Sequence, residues 1–77
     1  MSSLYLISIN QVLGEASMQA LQTLRNDLQQ LAIQPERIDT RHTPPHWVSV
    51  HLDDEQVKIL QGRYQNLIFG ADSALSF

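Results

Sequence analysis

The chain has no cysteine. That removes a disulfide framework and any thiolate metal site, and it fits a reducing compartment. The glycines (Gly14, Gly62, Gly70) stand apart from one another, so no phosphate-cradling loop is encoded. Basic side chains are scarce: five Lys/Arg stand against eight Asp/Glu, for a net charge of −3. They are also scattered, at Arg25, Arg37, Arg41, Lys58 and Arg63. Without a basic stripe there is no electrostatic footprint for nucleic acid, and none is expected as a partner. The longest apolar run, Leu4 to Ile7, is far too short to span a membrane, so no membrane partner is expected either. No charged segment precedes an apolar one in the manner of a signal peptide. A cytoplasmic location is the expectation, with secretion left open.

What is present suffices for one small domain. The 77 residues are 43% hydrophobic, enough to fold. Leu4-Tyr5-Leu6-Ile7-Ser8-Ile9 is rich in strand formers and reads as a central strand. Gly14 and Glu15 then open a helix reaching about Leu31. Met18, Leu21, Leu24, Leu28 and Leu31 recur on one side of it, and glutamines, Arg25 and Asn26 fill the other. Glu36 to Thr40 is a candidate second strand, and Thr43-Pro44-Pro45-His46 a turn.

Trp47 to Leu52 alternates, with Val48, Val50 and Leu52 inward and Trp47, Ser49 and His51 outward. Asp53 is suited to cap the next helix, with Gln56 completing a capping box and Leu52 stapling onto Val57. That helix carries Val57, Ile59 and Leu60 and stops near Gly62. Leu67-Ile68-Phe69 is a last strand, and residues 70–77 form a tail. The fold class is therefore α+β. The order βαββαβ gives a ferredoxin-like domain over residues 1–77, a four-stranded antiparallel sheet with two helices on one face.

Each candidate for chemistry has a simpler structural explanation. His42 and His46 are four apart, but two prolines intervene and no helix aligns them. His51 is an odd number of residues from His46, which sends the two to opposite faces of a strand. The histidines read as solvated turn residues, and no metal or cofactor is expected. Asp53-Asp54-Glu55 reads as a helix cap rather than an acid–base pair. No nucleophile elbow or matched Ser/His/Asp spacing appears, so the chain is not expected to be an enzyme. Two features suggest a binding surface instead. Trp47 is the sole tryptophan and faces outward, and the tail Ala74-Leu75-Ser76-Phe77 ends in an aromatic residue.

The stretch Trp47-Val48-Ser49-Val50-His51-Leu52-Asp53-Asp54-Glu55-Gln56-Val57-Lys58-Ile59-Leu60 resembles the strand-then-helix segment of subtilisin propeptides. It also resembles their stand-alone relatives, the fungal proteinase A and proteinase B inhibitors. The opening strand and first helix fall where that family has them. The resemblance implies a ferredoxin-like fold and a partner that is a subtilisin-like serine protease. It further implies a sheet laid against the protease, with the C-terminal tail in the active-site cleft. Phe77 would then fill the primary specificity pocket, and Ala74 the pocket three residues upstream. The tail would bind as an added strand. The family's Val-Glu-x-Asp signature is matched here only by Asp72, and Pro45-His46 stand where the family has a glycine.

The expected activity is thus inhibition of a subtilisin-like protease, or propeptide-like chaperoning of one, by a chain that is monomeric when free. Met1 at the start favours a stand-alone inhibitor. The alternative is a ferredoxin-like regulatory or assembly module that forms a homodimer or blocks a larger protein machine.

Overall fold

Alternation along the strands decides which side chains meet the helices. The computed structural model describes residues 2–71. Their order is β1 (Ser2–Ile9), α1 (Glu15–Gln30), β2 (Arg37–Ile38), β3 (Trp47–Asp53), α2 (Asp54–Arg63) and β4 (Leu67–Ala71). The strands form one sheet in the order β2-β3-β1-β4, with every neighbouring pair antiparallel. This is the expected ferredoxin-like α+β fold, both helices lying on one face. Among the described residues no helix is long and apolar enough to cross a membrane.

Register sets the two faces. Ile7 pairs with Val48 and Phe69, and Tyr5 with Val50 and Ala71. Ile7, Tyr5, Val48, Val50 and Phe69, with Leu52, Leu67, Ile9 and Ile38, point to the helical side. There they meet Leu21, Leu24 and Leu28 of α1 and Val57 and Leu60 of α2. Ile7, Leu21, Leu24, Val48, Val50 and Leu52 are fully buried. At about 25 cal/mol per Å² of apolar surface, this layer is the main source of stability.

Some helix positions differ from the periodicity-based reading. Leu31, expected on the inner stripe, is 60% exposed, because α1 ends at Gln30 and the chain turns away. Ile59 of α2 is equally exposed. Ser17 takes an inner position instead and is fully buried. Its hydroxyl accepts from the Asn10 backbone N–H at 2.7 Å and donates to the Asn66 carbonyl at 2.8 Å. One side chain therefore ties both loops flanking the helices to each other.

The helix ends follow local rules. Gly14, with φ 58 and ψ −124, occupies the N-cap of α1 in a region closed to residues with side chains. At the other end Ala32 has φ 59. Ala32 donates to the Gln29 carbonyl and Ile33 to that of Leu28, the Schellman pattern that usually uses glycine at this position. Asp53 caps α2 as expected. Its carboxylate accepts from Gln56 N–H at 2.7 Å, and the Gln56 side chain accepts from Asp53 N–H at 3.0 Å. β4 runs through Ala71, so Gly70 and Ala71 belong to the sheet rather than to the tail.

Tyr64, just past α2, is buried, and its hydroxyl donates to the Asp27 carboxylate, which Arg63 also contacts at 3.2 Å. Burial, together with the Asp27 bond, pushes the phenol up to about 12. A folded-state value above the unfolded one gives stability that is fully present below the unfolded value of 10.0 and fades as pH climbs toward 12. The advantage of the wild type over Tyr64→Phe should therefore be constant up to about pH 10 and shrink above it. Urea midpoints of both proteins across that range measure it, and a gap that widens with pH contradicts it.

Candidate functional site

The sheet face away from the helices carries the outward-pointing residues. One row crosses the sheet as Trp47, Ser8 and Ile68, and the next as Arg37, Ser49, Leu6 and Gly70, although Ser49, expected outward, is fully buried. Leu4 lies beyond, opposite His51. Ile68 is 52% exposed, and Leu4, Leu6 and Trp47 are partly exposed. Trp47 is thus outward, as its alternation requires. The other expected binding residues, Ala74, Leu75, Ser76 and Phe77, lie outside the described residues. The strand leading to them, β4, forms one edge of the sheet.

At one end of this face the chain between β2 and β3 folds around a single carboxylate. Asp39 is 4% exposed. Its Oδ1 accepts from Arg41 N–H at 2.9 Å, the local turn that aspartate favours. Its Oδ2 accepts from His46 N–H at 3.1 Å and lies 2.7 Å from His42 Nδ1. The Asp39 backbone N–H donates to the Trp47 carbonyl, and the His46 carbonyl accepts from Ile9 N–H. The loop is therefore fastened to β1 as well as closed on itself, and the Thr43–Pro44 peptide within it is cis. Burial opposes the charge on Asp39. The two N–H donors and the His42 ring outweigh it and hold the carboxyl at about 2. The carboxylate is thus ionised at neutral pH.

These contacts stack the His42 and His46 rings, with centroids 3.7 Å apart and planes 14° from parallel. The expectation of separate, solvated histidines missed this arrangement. No helix aligns the pair. Asp39 does, by holding one residue through its ring and the other through its backbone. The signal in the sequence was the spacing Asp39-x-x-His42, but a hydrogen-bonded turn has no period to reveal it. His51 is apart, on the sheet face, 3.6 Å from Glu36 with both side chains exposed.

Comparison of the chain with protein-family models, curated proteins and solved structures gives no match. What the site can do therefore rests on its own geometry. Between the histidine stack, Trp47, Ile68 and the Asn10–Val12 loop lies an open groove of about 460 Å³. Val12 on its rim is 92% exposed. The groove joins the apolar row of the sheet to two imidazoles, a combination suited to binding an extended or aromatic group.

Proposed function

We propose that the protein binds a subtilisin-like serine protease, as an inhibitor or a propeptide-like chaperone. In this reading the sheet face docks on the enzyme and the C-terminal tail enters its cleft in the manner of a substrate. One observation carries the proposal. The face bearing Leu4, Leu6, Trp47 and Ile68 has no helix packed on it among the described residues. It also borders β4, the edge strand from which the chain proceeds to Ala74 and Phe77. A partly apolar face beside an edge strand supports docking combined with strand addition. The resemblance of the segment from Trp47 to Leu60 to the propeptide family gives the target class.

The test is a titration of a subtilisin with the intact chain and with a chain ending at Ala71. Inhibition by the intact protein that is lost or weakened at least about tenfold on truncation is the expected result. Equal inhibition by both removes the tail from the mechanism, and none by either removes the target class. The same partly exposed face also suits a second reading, a module that self-associates through it. Light scattering separates the two, because a stable dimer that dissociates on Ile68→Asp supports self-association instead.

A further inference from the structure

We propose that His42 and His46 bind a divalent transition-metal ion of the zinc class, with Asp39 as the positioning residue that orients His42. Asp39 Oδ2 already accepts from the His46 N–H, and with that oxygen as acceptor the 2.7 Å contact has His42 Nδ1 as the donor. In the neutral ring the lone pair is then on Nε2, the atom available to a metal. A carboxylate that holds the far N–H of a ligating histidine is a recurring feature of such sites. The His42 side chain is 51% exposed whereas that of Asp39 is 2% exposed, so the ligand faces solvent while its support is buried. One nitrogen of each histidine and one oxygen of Asp39 lie within 4.8 Å of one another, so the carboxylate gathers the two imidazoles into one cluster. Imidazole suits zinc, copper, nickel and cobalt, whereas calcium and magnesium prefer oxygen.

The stack makes a definite demand. Two nearly parallel rings direct their lone pairs along separate planes, so one ring must turn out of the stack for both to meet one ion. His42 is tethered through Nδ1, which leaves His46 as the ring that turns. The adjoining groove, bounded in part by Trp47 and Ile68, gives space for that turn and for water at the remaining coordination positions. Binding therefore carries a structural signature that an unspecific surface histidine lacks.

The experiment is zinc titration of the full chain by calorimetry, with side-chain NMR of the histidines. One ion per chain is expected, with the ring-current shifts of the stacked imidazoles lost on saturation. His42→Gln and His46→Gln should each weaken binding by at least about tenfold, and Asp39→Asn by about 10–100-fold, while His51→Gln changes it by less than about twofold. Asp39→Asn also unfastens the loop. The two glutamine variants, each checked for an unchanged backbone amide spectrum, therefore decide the matter. The proposal is overturned if zinc does not bind at submillimolar concentration. It is likewise overturned if His51→Gln weakens binding as much as the other two, or if the ring stack survives saturation.

Discussion

Replacing Leu24 by alanine is expected to destabilise the fold by about 3 kcal/mol, as large an effect as any single truncation in α1 should have. Leu24 has no contact with water and lies under α1 against the sheet. Truncation removes its transfer free energy and leaves a cavity that a rigid sheet cannot close. Domains of this size have on the order of 5 kcal/mol in total, so the urea midpoint should fall by more than half. Leu31→Ala is the matched control. Leu31 belongs to the same apparent stripe but is 60% exposed, and its truncation should cost no more than about 0.5 kcal/mol. Equal losses in the two variants would mean that α1 is rotated, or that it extends beyond Gln30.

The second large effect is expected at Ser17. Ser17→Ala deletes one hydroxyl and leaves two backbone groups without their partner, the Asn10 N–H and the Asn66 carbonyl. Asn66 is exposed and can turn to water, whereas the Asn10 N–H is partly covered. A loss of about 2 kcal/mol follows from an unsatisfied donor and a broken tie between segments far apart in sequence. Hydrogen exchange gives a local readout. The Asn10 amide should exchange faster in Ser17→Ala under conditions that leave amides at the centre of β1 protected. Unchanged exchange at Asn10 would sink the assignment even if the protein were destabilised.

These two positions also separate what is legible in the sequence from what is not. Leu21, Leu24 and Leu28 declare their burial by spacing. Val48, Val50 and Leu52 do so by alternation, and Asp53 with Gln56 declares a helix start by chemistry. All are local rules acting over a few residues, so the order of elements and the sheet followed from them. Ser17 obeys no such rule, since its partners are set by how two loops meet. Leu31 and Ile59 fit an apolar pattern that the helix end and the narrow buried face of α2 override. The Asp39 cluster was hidden for the same reason as Ser17. A turn held by one carboxylate leaves no periodic trace, and prolines between two histidines argued against their meeting. Of the proposed docking surface, Trp47 was legible from alternation. Leu6 and Ile68 acquired significance only once register put them in adjoining rows.

The pairing of β1 gives the molecule two different ends. Ser2 sits opposite Asp53 at one end of β1, and Ala71, where β4 ends, sits opposite Tyr5 partway along it. From Ser2 to Ala71 is three residues along one strand and one strand across, a separation of roughly 11 Å. Ile9, Asn10 and the histidine stack occupy the other end. A bulky label joined before Ser2 would therefore crowd the point from which the tail sets out, while leaving the imidazoles untouched. Anchoring the protein by that end would test the proposed docking and the proposed metal binding separately, giving each its own handle.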